Sequence, residues 1–284
     1  PRWLSSMSAL PYRMMTSEID LLHATLVPPF FSPKDYVFTM HCFSTFKHPE
    51  FYRPEHARRL NRLMIRGMGK ARLILCVSNN VKDLIAEKFS ITEDRLQVVY
   101  NGVSDEFQPM NCDLARANVK ARYGIDRPYL LFAGQLKKRK NIGRILEAFA
   151  RFREDGNNDF ALVLAGRRDW SSEDLDAAID RLGIHPWVHE LGHLENGELP
   201  ALYSAAEVCV FPSLWEGFGI PVIESMACGT PVITSNLSCL PEVAGGQAVL
   251  VDPYSVEEIA DAMERTTQDS GLRERRITGG LARA

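Results

Sequence analysis

The sequence predicts an α/β protein in which parallel strands and helices wind into two domains. Three observations carry that prediction. Short apolar, β-branched runs alternate with amphipathic stretches along most of the 284 residues. The runs are nearly continuous in apolar residues, the pattern of parallel strands covered on both faces. A segment rich in turn-forming residues, "NGVSDEFQPMNCD" at 101–113, breaks the series, and "DRPYLLFAG" starts a fresh one. Alternating elements at this length read as doubly wound architecture. The hinge falls near Phe107–Asn111, which gives domains 1–108 and 109–284.

The elements follow in order. "DYVFTM" (35–40) is the first expected strand. A helical pattern over 55–70 leads to a strand in "RLILCVS" (72–78). A helix over 79–89 precedes the strand "LQVVYNGV" (96–103), and after the break comes a short helix over about 113–123. The second series opens with "YLLFAG" (129–134) and a helix over 141–154. "FALVLAG" (160–166), a helix over 172–182 and "VHELG" (188–192) come next. A helix over 197–206 leads to "EVCVFPS" (207–213). Pro221 suits a first helical position, because its missing N–H has no intrahelical partner there. Gly229 suits the left-handed cap of that helix. "TPVITS" (230–235), "AVLVD" (248–252) and a helix over 255–266 complete the pattern.

Composition narrows the function. The net charge is −3 and the isoelectric point about 6.2. Nucleic-acid binding through phosphate neutralisation usually needs a clearly basic chain, so no nucleic-acid partner is expected. The six cysteines show no C-x-x-C spacing and sit mostly among apolar neighbours. They read as reduced and buried. No apolar run approaches membrane-spanning length. The chain begins "PRWLSSMSALPYRMM" and stops at "ITGGLARA", which reads as a fragment cut at both ends. His185, His189 and His193 recur every four residues, but Pro186 and Gly192 interrupt the segment and "WVHEL" is strand-like. No metal site is expected there.

The segment "EGFGIPVIESMACGT" (216–230) carries the most chemistry. It joins a strand to a helix at the carboxyl edge of a parallel sheet, where ligands of open α/β sheets bind. Gly217, Phe218, Gly219 and Ile220 form the loop ahead of the helix. Glycine lets backbone approach a ligand, and helix N-terminal N–H groups suit phosphate. Glu224, placed in the first helical turn, offers two acceptor oxygens for a ribose diol. Glu216 reaches a polyhydroxylated group beyond the phosphates. The pair therefore fits a nucleotide sugar. The plainer alternatives are a surface loop residue at Glu216 and a helix-dipole partner at Glu224.

This segment resembles the E-x7-E region of retaining glycosyltransferases of group 1, family 4. "YLLFAGQLKKRKNIGRILEAFA" and "VHELGHLENGELPALYSAAEV" resemble the same family's donor domain, and "DYVFTMHCFS", "ARLILCVSNNVKDLI" and "LQVVYNGVSDEFQP" the end of its acceptor domain. The resemblance runs from about residue 20 to residue 284. It implies a GT-B fold, two Rossmann-like domains facing a cleft, with the N-terminal domain incomplete and the C-terminal crossing helix lacking. It implies a hexosyltransferase, mannosyltransferase-like, acting in polysaccharide biosynthesis without a metal or cofactor. The donor is a nucleotide sugar, GDP-mannose as first choice, and the acceptor a glycan or lipid-linked glycan.

The resemblance also assigns roles. Gly134, Lys140 and Arg139 face the diphosphate, with Arg139 substituting because Gln135 stands where the family often has arginine. His193 and Leu194 meet the base through backbone. His41 faces the donor sugar, although Cys42 follows it where the family often has aspartate. Catalytic roles fall to His41 and Glu216. Residues 58–72, "RRLNRLMIRGMGKAR", carry six basic residues and no acid. They suit peripheral contact with anionic lipid at the inner membrane face of a cytoplasmic enzyme, or form a solvated helix face over a core stripe. Two rival functions share these features: a nucleotide-sugar epimerase and a non-catalytic nucleotide-sugar-binding protein.

Overall fold

The computed structural model describes residues 18–29, 31–169, 175–194 and 197–284. Its contacts divide the chain into two compact units. The first comprises residues up to Asn101 together with Glu216–Phe218; the second comprises Gly102–Trp215 and Gly219–Ala284.

The first unit holds a four-stranded parallel sheet of β1 (Leu21–Ala24), β2 (Asp35–Met40), β3 (Leu73–Cys76) and β4 (Leu96–Val98), in that order. β1 was not expected from the sequence, and β4 stops well short of the strand expected to reach residue 103. Burial along β2 and β3 alternates between full and partial. That corrects the expectation of strands buried evenly on both faces: Tyr36, Phe38 and Met40 are buried, while Val37 and Thr39 are half-exposed. Helix α1 (Pro54–Lys70) lies between β2 and β3, and α2 (Asn79–Phe89) between β3 and β4. α1 buries Ala57, Met64, Gly67 and Met68, and leaves Arg58, Arg59, Arg62 and Arg66 exposed. Ser78 caps α2 by accepting from Val81 N–H at 3.2 Å, as serine commonly does at this position.

The second unit is built on six parallel strands. After α3 (Cys112–Tyr123) come β5 (Tyr129–Ala133), α4 (Ile142–Glu154), β6 (Ala161–Ala165), α5 (Leu175–Leu182), β7 (Val188–Gly192) and α6 (Leu199–Ala205). Then follow β8 (Val208–Phe211), α7 (Ile220–Ala227), β9 (Val232–Ser235), α8 (Leu240–Ala244), β10 (Val249–Val251), α9 (Val256–Gln268) and α10 (Ser270–Arg283). The sheet order is β10-β9-β8-β5-β6-β7. The chain winds outward one way from β5 and the other way from β8, so the strand order reverses between them. This is the doubly wound order of dinucleotide-binding domains.

Here the both-faces expectation holds in the central strands. Every residue of β5, β6, β8 and β9 is buried. Phe132 and Phe211 stack across β5 and β8 with centroids 5.8 Å apart. Five apolar side chains of α4 are buried: Ile142, Ile145, Leu146, Phe149 and Phe152.

Residues 138–140 form a 3-10 turn before α4. Asn141 follows with φ 67°, a left-handed conformation that asparagine tolerates better than most residues. Its side chain is buried. Nδ2 donates to the Pro212 carbonyl at 3.1 Å and to the Pro253 carbonyl at 2.7 Å. Oδ1 accepts from Arg144 at 3.0 Å. One amide thus joins the loops that follow β5, β8 and β10.

Asn141→Ala strands two buried carbonyls and forces a Cβ-bearing residue without a polar side chain into the left-handed region. We expect it to lower unfolding free energy by about 3 kcal/mol. Asn141→Gly relieves the backbone cost and should lose about 1 kcal/mol less. Urea unfolding midpoints of the two variants check this; equal losses would assign the whole effect to the hydrogen bonds.

Candidate active site

At the carboxyl ends of β5, β6 and β7 the second unit contains a cavity of about 660 Å³. It lies beside the point where the strand order reverses, between the loops of β5 and β6 and the helix that follows β8. Gly134 and Gln135 line it from the β5 loop, and Gly166 and Arg167 from the β6 loop. His193 and Leu194 line it after β7, and Ile220 and Glu224 from α7. Ser104, Glu106 and Phe107, from the segment read as a linker, complete one wall.

Two glycines make the floor possible. A Cβ on Gly166 would stand 1.9 Å from the Gly134 carbonyl oxygen, so no side chain fits there. Gly134 itself has φ 138°, which side-chain-bearing residues avoid. The two backbones therefore approach closely, and both line the cavity without a side chain.

Helix α7 starts at Ile220, one residue earlier than Pro221 was expected to start it. Glu224 is consequently its fifth residue, in the second turn rather than the first. Its carboxylate does not serve the helix N-terminus. Oε2 accepts a hydrogen bond from the phenol of Tyr203 at 3.0 Å. Tyr203 is fully buried on α6, set edge-on against Phe107 with centroids 6.1 Å apart. Its own carbonyl accepts from Thr230 Oγ1 at 2.6 Å. The tyrosine is thus held at ring and backbone, and it fixes one carboxylate oxygen. Tyr203 was not singled out from the sequence, because an aromatic in an amphipathic pattern reads as core.

Burial raises the Glu224 pKa, the phenol hydrogen bond opposes that rise, and the nearby Glu106 charge adds to it. Burial likewise drives the Tyr203 phenol well above its ordinary range, so it is the donor.

The remaining expected site residues are placed as follows. Lys140 is buried, with Nζ 4.5 Å from the Phe211 ring centroid. Arg139 donates from its guanidinium to the Trp215 carbonyl, and its own carbonyl accepts from Leu214 N–H at 2.9 Å. Neither side chain is among those lining the cavity. Lys137 pairs with Asp169 at 3.7 Å and Lys138 is exposed, so the basic run is split among different environments. Gly219, with φ 94°, lies against Leu240.

In the first unit, His41 follows the end of β2 and is exposed. A Cβ on Gly217 would come within 1.9 Å of the His41 carbonyl oxygen, and Ser78 Oγ donates to the Gly217 carbonyl at 2.9 Å. Phe218 packs near Tyr100, with centroids 6.1 Å apart. Glu216 is buried, which removes the surface-loop reading of that residue.

The structure therefore gathers Gly134, His193, Leu194, Ile220 and Glu224 in one cavity, and groups His41, Glu216, Gly217 and Phe218 in the first unit. His185 lies on a 3-10 turn, His189 in β7 and His193 beyond it. No group of three or more His, Cys, Asp or Glu side chains placed to hold a metal occurs among the described residues. Cys76, Cys209, Cys228 and Cys239 are buried as expected, but Cys42 is half-buried and Cys112 exposed; all are free thiols.

The architecture is shared with solved structures. Sucrose-phosphate synthase from Thermosynechococcus elongatus matches with a TM-score of 0.80 at 21% identity, over 100% of this chain and 74% of that one. Anabaena HepE, solved in complex with UDP-glucose, matches with a TM-score of 0.79 at 19% identity, over 98% and 78%. These likenesses define the GT-B fold, with two Rossmann-like domains. The family model for glycosyl transferases group 1 matches residues 116–282, and the model for glycosyltransferase family 4 matches residues 1–107. The chain belongs to the group 1 glycosyl transferases. O-antigen chain mannosyltransferase B of Escherichia coli is 32% identical over 252 residues, 87% of this chain and 65% of that protein. The chain thus spans about two thirds of the length of that relative.

Because Glu224 holds its proton more tightly folded than unfolded, its burial costs nothing below the ordinary glutamate range. Stability is then lost as pH rises through the raised value. Glu224→Gln keeps an acceptor for Tyr203 and removes the charge. We expect the variant and wild type to melt alike at low pH, with the variant gaining on the wild type as pH rises. Melting temperature against pH checks it; parallel curves would mean that Glu224 ionises without penalty.

Proposed function

We propose that the cavity of the second unit takes the nucleoside diphosphate of a nucleotide sugar. The protein then moves a hexose from that donor to a glycan or lipid-linked acceptor. The observation that carries this reading is the placing of the Glu224 carboxylate with bare glycine backbone and a helix start around one cavity at a topological switch point. Glu224 suits the ribose diol, because its free acceptor capacity faces the cavity while Tyr203 steadies the other side. Gly134 and the start of α7 suit the diphosphate. His193 and Leu194 suit the base. Arg139 and Lys140, which do not line the cavity as it stands, and the Gly217–Gly219 loop are proposed as further diphosphate contacts, and His41 and Glu216 are assigned to the hexose.

Sugar transfer of this kind passes through an oxocarbenium-like state while negative charge grows on the leaving phosphate. Oriented N–H groups and fixed cations aimed at that charge lower the barrier without a metal ion. The assignment of mannose, with GDP-mannose as first donor, is supported by the E. coli mannosyltransferase relative. A nucleotide-sugar donor is supported by the UDP-glucose complex of HepE. Retention of anomeric configuration and independence from metal belong to the same proposal. So does action on the cytoplasmic side, with the exposed arginines of α1 against anionic lipid. No helix among the described residues is long and apolar enough to cross a membrane.

Thermal stabilisation by GDP, UDP and ADP tests the reading. A nucleotide at about 100 times its dissociation constant stabilises by about 2.7 kcal/mol. We expect one of the three to raise the melting temperature, GDP first, and Glu224→Ala to remove most of the shift. No shift with any nucleotide would sink the donor-site reading. Hexose transfer that requires an added acceptor then separates a transferase from an epimerase or a binding protein.

A further inference from the structure

The pairing of β5 with β6 does not stop where the strands do. Ala133 pairs with Ala165, and the register resumes at Leu136 with Arg168, both pairs 32 residues apart. Gly134 N–H donates to the Ala165 carbonyl at 2.8 Å and Leu136 N–H to the Arg167 carbonyl at 2.8 Å. Asp169 N–H returns a bond to the Leu136 carbonyl at 3.2 Å. Gln135 and Arg167 are therefore opposite one another on this extension, and side chains of facing residues in a ladder share a side. Both line the cavity.

The charges around the cavity are unevenly placed. Glu224 and Glu106 are the acids among its described lining residues. Arg167 is the one arginine or lysine there, since Arg139 and Lys140 are turned to the β8 loop and the Phe211 ring. Arg168 next to it faces away: it holds Asp176 at 2.6 and 2.7 Å and Glu190 at 2.5 and 2.9 Å. That cluster anchors the loop on its outer side and leaves Arg167 to the inner side.

We infer that Arg167 is a donor-binding residue, whose guanidinium takes the phosphate charge of the nucleotide across the bare Gly134–Gly166 floor. The inference rests on the nucleotide-sugar reading of the cavity. A guanidinium presents paired donors that match phosphate oxygens. Gly134 and Gly166 line the same cavity as Arg167 with backbone alone. A ligand bridging the cavity then meets acid at its ribose and base at its phosphates.

Calorimetric titration of wild type, Arg167→Gln, Arg167→Lys and Glu224→Ala with GDP, UDP and ADP and the matching monophosphates tests this. Arg167 is exposed and its ladder bonds are backbone bonds, so these substitutions leave the fold intact. The expected result is a loss of at least about tenfold in diphosphate affinity for Arg167→Gln, as for a hydrogen bond to a charged group. Arg167→Lys should recover part of it. The gain of diphosphate over monophosphate should shrink in the Gln variant, and its affinity should depend less on salt. If Arg167→Gln binds like wild type while Glu224→Ala does not, the donor site stands and the role of Arg167 is overturned. A changed preference among the three bases at an unchanged diphosphate gain would also overturn it, placing the guanidinium on the base. If wild type binds no nucleotide, both readings fall.

Discussion

The buried amide of Asn141 is the constraint on which the edge of the second sheet depends. Loops after parallel strands leave the sheet in different directions, and their backbone groups have no ladder to satisfy them. Here one side chain donates to two carbonyls from two such loops while sitting in a third. The left-handed backbone at Asn141 is what turns the amide inward. Buried polar groups are costly unless paired, so the three loops have one low-energy arrangement instead of several. The β8 loop, fixed in this way, delivers the chain to Gly219 and the start of α7. The start of that loop is therefore held by a residue from a different loop, while Glu224 itself is held by Tyr203.

That fixed edge permits an expensive arrangement inside the cavity. A carboxylate at Glu224 is partly desolvated and close to a second acid. Left alone it would favour the protonated form. The Tyr203 phenol offsets this by donating to the charged form, and Tyr203 stays in place because Phe107 meets its ring and Thr230 its carbonyl. Desolvation has a functional side, because hydrogen bonds from hydroxyls to a carboxylate are stronger away from bulk water. A carboxylate that accepts from a ligand hydroxyl gains by losing the water around it, within the limit set by its ionisation.

Much of the second unit was legible in the sequence because its strands are unambiguous. "ALVLA" and "VCVF" are short, apolar throughout and separated by helical periods, and the fold follows from that alternation. Pro221 and Gly229 bounded α7 to within a residue, yet the partner of Glu224 lies on a different helix, which spacing within one segment does not reveal. The first unit was less legible. "LLHA" is too short and too polar to stand out as β1, and "LQVVYNGV" is apolar enough to suggest a strand longer than the three residues that pair. For the site, the glycines and glutamates had spacing to identify them. Arg167 had none: two arginines after a strand glycine look like any solvated turn, and only the register with Gln135 distinguishes the one facing the cavity. Tyr203 was hidden for the opposite reason, since its ring belongs to the core and only its hydroxyl to the site.

The same division explains what a shared fold does and does not carry. Two sheets of this kind recur at about one-fifth identity because their buried strands demand only apolar shape. The groups at the sheet edge sit on loops and on α7, each held by a different local device: an amide for the β8 loop, an Arg168 ion-pair cluster for the β6 loop, a buried phenol for Glu224. Such devices can be altered one at a time without disturbing the sheet. In the proposed function the nucleotide contacts follow from the architecture of this edge, and the hexose contacts fall to His41 and Glu216, which the second sheet does not hold.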